Sequence, residues 1–233
     1  MFYSEDAKME PSCQEQKEKL LRVSAVIPTL DAGHLLPLLV GQLAGLGEVI
    51  LADGGSAETP QGGRVIAAPR GRGEQMIAGA AAAQGDWLLF LHADTRLDSG
   101  WEAVVCTAMQ APGHAAYFRF ALDDASSEAR RLEAMVTWRC QWLALPYGDQ
   151  GLLISRALYE AVGGFQPIPL MEDVDLVRRL GRSRLAALPV RAITSAERWR
   201  RQGWWVRSAR NLCILMLWFL GVSPARLVRL YGK

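Results

Sequence analysis

The sequence predicts an α/β fold, a mostly parallel central sheet flanked by helices, with a helical extension at its C-terminal end. Three observations lead there. Short, nearly continuous apolar runs such as "VSAVIP", "EVILAD" and "DWLLFLH" read as strands buried on both faces. They alternate with longer Leu- or Ala-rich segments, the rhythm of βαβ units. A late apolar segment, Leu212 to Val222, lies between Arg207 and Arg210 on one side and Arg226 and Arg229 on the other.

In chain order, residues 1–21 are polar and mixed in charge, with no apolar stretch of the kind a secretory signal or anchor carries, and read as a tail. Residues 22–233 read as one domain. After "VSAVIP" come a Leu-rich helix near 35–44, the strands "EVILAD" and "RVIAAP", an Ala-rich helix near 74–84 and the strand "DWLLFLH". An amphipathic helix follows Gly100, then the strand "AAYFRFAL". The next helix spans about 126–143 and carries Arg130, Arg131, Glu133 and Arg139 on its surface. The strand "GLLIS" leads into a helix over about 156–162, which Gly163 and Gly164 terminate.

Bulk composition excludes some function classes. The 26 basic and 24 acidic residues leave a formal charge of +2, which does not point to nucleic acid. Arginines concentrate between Arg178 and Arg210, so an anionic partner near the last third of the chain is expected. Cys13, Cys106, Cys140 and Cys213 show no paired spacing, which argues against a disulfide framework or zinc knuckle and for a reducing cytoplasm. The segment Leu212–Val222 falls short of the roughly 20 apolar residues a membrane span needs. A buried terminal helix or an oligomer contact, such as a homodimer, is the favoured reading. Peripheral contact with the inner face of a membrane through 207–229 is the alternative.

In open α/β sheets ligands bind beyond the carboxyl ends of the strands, where loops and helix N-termini present free N–H groups. That rule selects Asp53, which closes "EVILAD" ahead of Gly54, Gly55 and Ser56, and Asp94, which follows "DWLLFLH". Each also fits a plain helix-capping acid. A third group, Glu172, Asp173 and Asp175, opens the helix "EDVDLVRRL", where acids are ordinary dipole partners.

Taken in order, "VSAVIPTLDA", "EVILADGGS", "GRGEQMIAGAAAAQGDWLLFLHADTRL", "YGDQGLLISR", "GGFQPIPLMEDVDLVRRL" and "LGVSPARLVRLY" resemble the family 2 glycosyltransferases of the GT-A (Rossmann-like) fold. In particular they resemble a small bacterial transferase 2-like subgroup linked to arsenosugar biosynthesis. The resemblance implies a nucleotide-binding half over 22–100, an acceptor half over 101–200 and C-terminal amphipathic helices over 201–233. It implies transfer of a sugar, with inversion, from a nucleoside-diphosphate donor, UDP by default, to an acceptor hydroxyl. The acceptor itself is left unidentified.

By the same resemblance Asp53 and Gly54 meet the nucleotide base, and Pro28, Thr29 and Leu30 line base and ribose. His92, Ala93 and Asp94 stand where the family has Asp-x-Asp. Asp94 would hold a divalent cation, Mn²⁺ or Mg²⁺, that neutralises the departing diphosphate, and Ala93 would border the nucleotide. His92 departs from the pattern. A hydrogen bond to ribose, simple packing and metal ligation are its three readings, ligation the least favoured. Asp173 would be the general base, with Glu172 orienting the acceptor or sharing the role. Asp149 and Gln150 would meet sugar or acceptor hydroxyls. Arg70 and Arg72 stand near the sugar or its phosphates, as do Arg198 or Arg200, while Trp199, Trp204 and Trp205 read as core or interface aromatics. Asp175 would be a surface acid or a partner of Arg178 or Arg179.

A nucleotidyltransferase is the nearest rival, but "PTLDAGHLL" offers only Gly33 where such enzymes carry a Gly-rich loop. A dinucleotide oxidoreductase fails for want of G-x-G-x-x-G after the first strand. A lapsed transferase that only binds nucleotide is kept open by His92.

Overall fold

The computed structural model describes residues 13–231. The chain opens with helix α1 (Cys13–Leu20), so the segment read as a tail is helical from Cys13 onward, with Leu20 buried in the core. Then come β1 (Val23–Thr29), α2 (Leu36–Gln42), β2 (Glu48–Asp53), β3 (Arg64–Ala67), α3 (Arg72–Ala82) and β4 (Trp87–Phe90). A two-residue strand β5 (Arg96–Leu97), α4 (Trp101–Ala108), β6 (Ala115–Leu122) and the long α5 (Ser127–Leu143) follow. Ser126 caps α5 by accepting from the Ala129 N–H at 3.2 Å. The chain continues through β7 (Leu152–Ser155), α6 (Arg156–Ala161), α7 (Glu172–Leu180), β8 (Leu185–Thr194), α8 (Glu197–Gln202), α9 (Trp204–Phe219) and α10 (Pro224–Tyr231).

One eight-stranded sheet has the order β3-β2-β1-β4-β7-β6-β8-β5. The first four strands pair in parallel, as the apolar runs predict. Beyond β4 the sheet turns mixed. β7 is antiparallel to both β4 and β6, β6 and β8 are parallel, and β5 is antiparallel to β8. The sequence reading missed β8 because "LAALPVRAIT" is half exposed and contains Pro189. Pro189 sits inside a register irregularity against β6, the place where a strand tolerates a missing N–H.

Alternate residues of the central strands fill two cores, one on each face of the sheet. Val23, Ala25, Ile27, Leu51, Leu89 and Leu153 pack with α2 and α4. Val26, Ile50, Leu88, Phe90 and Ile154 pack with α3, α6 and α7. A smaller cluster of Leu145, Val174 and Leu215 ties α9 to α7. Among the described residues no helix is long and apolar enough to cross a membrane.

This topology positions the site. Because β7 runs against β4, Leu152 pairs with Phe90, and the loop before β7 comes to the edge where β4 ends. Residues 148–150 therefore meet residues 92–94. β8, parallel to β6, ends at that same edge with Thr194.

Candidate active site

The edge has two parts, joined by the first turn of α3. At the first, Thr29 at the end of β1 lies beside Asp53 at the end of β2. Asp53 turns back on its own loop. One carboxylate oxygen accepts from the Gly55 N–H at 3.2 Å and the Ser56 N–H at 3.1 Å, and the other accepts from the Ser56 hydroxyl. Burial opposes ionisation here, but the Ser56 hydroxyl and amide and the Gly55 amide outweigh it and lower the Asp53 pKa. Asp31, held at a left-handed φ of 51°, accepts from the Ala57 N–H and donates its own N–H to the Ser56 hydroxyl, locking the loops after β1 and β2 together. Gln75 of α3, buried at 5 %, donates to both the Thr29 and Ala52 carbonyls, at 2.7 and 2.8 Å.

The second part is a cavity of about 160 Å³. Asp94, Asp149, Glu172 and Asp173 line it with Arg72 and Arg198. Asp173 accepts from the Gly148 N–H at 2.6 Å and the Val174 N–H at 2.7 Å, which fixes the carboxylate. A Cβ on Gly148 would stand 2.8 Å from His92 Nε2 and 3.3 Å from Asp173 Oδ2, so a larger residue here would press on both side chains. Met171, in the left-handed region at φ 68°, turns the chain into α7 and aims Glu172 and Asp173 at the cavity. Glu172, buried at 2 %, lies 3.6 Å from Arg72 Nη1. A Cβ on Gly73 would stand 2.7 Å from the Gln166 carbonyl, so this glycine lets α3 approach the loop ahead of α7.

Charge is unevenly balanced in the cavity. Burial works against the Arg72 charge, yet Glu172, Asp173, Tyr231 and Asp94 raise its pKa above the ordinary value. Asp149 is driven the other way. Burial, with repulsion from Asp173 and Asp94, pushes it up to about 6 against the pull of Arg139 and Arg72. Arg139 stacks 3.4 Å above the Tyr147 ring, and burial pushes the Tyr147 phenol to about 12. Asp149 Oδ1, Arg207 Nε and Asn211 Oδ1 are buried with no hydrogen-bond partner among the described residues, and all three residues line this cavity. Orphaned polar atoms gathered in one place point to a polar ligand.

The predicted residues divide accordingly. Asp94, Asp149, Glu172, Asp173, Arg72 and Arg198 converge on the cavity, and His92 borders it. Pro28, Thr29, Leu30, Asp53 and Gly54 lie at the neighbouring part of the edge, outside the cavity wall. Gln150 does not line the cavity. It is 2 % exposed, and its amide bonds the Phe118 carbonyl, the Tyr147 N–H and the Cys140 thiol. The Ala93 side chain packs in the core, leaving only its backbone near the edge. Arg70 is exposed and off the cavity wall. Arg200 pairs with Asp123 and Asp124 instead. Asp175 pairs with Arg179 at 2.6 Å, the expected partner. Arg139, expected on the surface, is half-buried over Tyr147.

Gln75, Tyr147, Asn211 and Tyr231 escaped the sequence reading. Arg207 had a signal only as one of the arginines expected near an anionic partner, and Gly148 only through its place beside Asp149. The others reach the edge from helices and loops distant in sequence.

A search of curated protein sequences returns no significant match. Residues 24–168 match the family model described as Glycosyl transferase family 2. Among solved structures, glucosyl-3-phosphoglycerate synthase from Mycobacterium tuberculosis, crystallised with Mn²⁺, UDP and glucosyl-3-phosphoglycerate, is similar with a TM-score of 0.53 and 17 % identity, over 84 % of this chain and 77 % of that one. Mannosyl-3-phosphoglycerate synthase from Rubrobacter xylanophilus is similar with a TM-score of 0.54 and 16 % identity, over 85 % of this chain and 76 % of that one. The mixed sheet with its flanking helices is the GT-A fold of these structures.

Proposed function

Since the chain belongs to glycosyl transferase family 2 and is a glycosyltransferase, we propose that it moves a sugar, with inversion, from a nucleoside-diphosphate donor to an acceptor hydroxyl. The observation that carries this reading is the convergence of Asp94, Asp149 and Asp173 with Arg72 on one cavity where buried atoms of Asp149, Arg207 and Asn211 lack partners. At about 160 Å³ that cavity is smaller than the roughly 300–1,000 Å³ of ordinary small-molecule pockets. It suits the diphosphate and sugar alone. The nucleoside then extends along the edge to Asp53, Thr29 and Gly54, with uridine the default base, the nucleotide of the structural neighbour above.

A divalent cation, Mn²⁺ or Mg²⁺, fits the donor set. Among the described residues no three His, Cys, Asp or Glu side chains form a ready-made metal site. Such hard ions are commonly held by one or two carboxylates completed by substrate phosphates. Asp94 would hold the ion, and Asp149, with its orphaned Oδ1, would share it. Bound there, it would offset the charge that builds on the leaving diphosphate.

The protein's own groups do the rest. Asp173, its carboxylate fixed by two backbone N–H groups, takes the acceptor's proton as that oxygen attacks the anomeric carbon. The bond from that carbon to the diphosphate breaks, and its electron pair leaves with the diphosphate. Arg72, kept protonated despite its burial by the surrounding acids, faces the leaving group, and Glu172 holds Arg72 in place. His92, beside Gly148, is a hydrogen-bond donor to the donor's hydroxyls. The exposed apolar side chains of α9, Leu212 and Met216 among them, support peripheral contact with a membrane surface.

The test is release of UDP from UDP-glucose with Mn²⁺ across a panel of sugar acceptors, with and without chelator. Release that survives complete chelation and the Asp94→Ala change ends the metal-dependent reading. Liberation of pyrophosphate from a nucleoside triphosphate would favour a nucleotidyltransferase instead.

A further inference from the structure

An apolar groove of about 720 Å³ runs between α5 and α9, and of its lining only Asp149 takes part in the chemistry above. Met135, Trp138 and Leu143 form one side, and Trp205, Leu212 and Leu215 the other. Trp138 is 57 % exposed and Trp205 66 %. So much contiguous apolar surface left in water marks a binding face rather than scattered surface residues. Met216 and Phe219 of α9 are exposed apolar side chains as well.

The inner end of this groove is polar. Tyr147, Asp149, Trp199 and Asn211 border both the groove and the catalytic cavity, so one layer of side chains separates them. Asn211, outside the donor set proposed for the cation, keeps a buried oxygen without a partner. A second copy of the chain laying an apolar helix in the groove would leave that oxygen unsatisfied, at a cost in free energy. A molecule with hydrocarbon at one end and hydroxyls at the other satisfies both ends of the groove.

Resting on the transferase reading, we propose that the acceptor is an amphiphilic lipid. Its hydrocarbon chain lies between α5 and α9, and its polar head reaches past Asp149 to present an oxygen to Asp173. The head loses its hydroxyl proton to Asp173 as that oxygen bonds the anomeric carbon and the donor's diphosphate departs. Peripheral contact through α9 would let the lipid enter from a bilayer without full desorption.

The test uses n-alkyl β-glucosides from methyl to dodecyl, each below its micelle concentration. Binding is read without turnover by the fluorescence of the groove tryptophans, and transfer by UDP release from UDP-glucose with Mn²⁺. Each methylene that enters the groove should tighten binding and lower KM by about fourfold. Leu212→Arg, and separately Trp138→Asp, should flatten that dependence. Methyl glucoside used as well as dodecyl glucoside, or a chain-length dependence that both substitutions leave intact, overturns the lipid assignment while the transferase reading stands. Chain-length-dependent binding with no turnover of any donor overturns the transferase reading and leaves a hydrocarbon site. A dimer that Leu212→Arg dissociates, with no response to alkyl chains, overturns the proposal by giving the groove to a second copy.

Discussion

Asp53 and Asp149 stand at one edge of one sheet, yet their surroundings treat a carboxylate in opposite ways. Asp53 is met by two amides and a hydroxyl of its own turn, which lower its pKa. Burial, with repulsion from Asp173 and Asp94, pushes Asp149 up to about 6, and one of its oxygens has no partner. The nucleoside end of the edge is thus finished before any ligand arrives. The diphosphate end is an unbalanced charge cluster that a cation and a polar substrate would complete. Preorganisation lies on one side, and a demand for ligand on the other.

That contrast breaks most readily at the unbalanced end. Asp173→Asn should lower kcat by about 10²–10⁴-fold while donor binding, followed by thermal shift, persists. Turnover at the wild-type rate by this variant ends the assignment of the base. Gly148→Ala comes next, because the new Cβ must displace His92 or Asp173. Small displacements of a reacting group cost on the order of 10²-fold, so kcat should fall, and the shift of His92, the nearer neighbour, should weaken donor affinity as well.

The Asp149 contrast has a pH signature. Its folded pKa of about 6 lies above the ordinary value of 3.8, so the folded protein holds a proton between those values that the unfolded chain has released. Metal-free stability therefore falls as pH rises through that window, the sign expected for a carboxylate raised by burial. Cation binding needs the proton gone, so apparent Mn²⁺ affinity should weaken by about tenfold per pH unit below 6. Titrations of Asp149→Asn should show neither slope. At the finished end the effect is smallest. Gln75→Ala takes a donor from the Ala52 carbonyl and from the Thr29 carbonyl, which keeps the Gly54 N–H, costing about 1 kcal/mol and lowering Tm by a few degrees in calorimetry.

What the sequence disclosed follows from where its signals live. β1, β2 and β4 were readable because strands buried on both faces are apolar throughout. β8 was not, because its half-exposed residues and Pro189 carry neither a continuous nor an alternating pattern. At the site, Asp53, Asp94 and the Glu172–Asp173 pair were visible as acids at the ends of elements. Gln150 misled because a polar residue beside a predicted ligand looks the same whether it faces substrate or ties β6 to the loop before β7. Gln75, Asn211 and Tyr231 were hidden because only the packing of α3, α9 and α10 brings them to the edge.

The first turn of α3 touches both ends of this edge, Arg72 reaching Glu172 and Gln75 holding the tips of β1 and β2. On the proposed reading the donor's nucleoside and diphosphate, and the acceptor through Glu172, would all bear on this one turn. Whatever factor an occupied donor adds to acceptor affinity through it, the acceptor must return to the donor in full. Order of addition can then alter the route to the ternary complex but not its depth, and a substitution that slackens the turn must weaken both partners' mutual help by the same ratio.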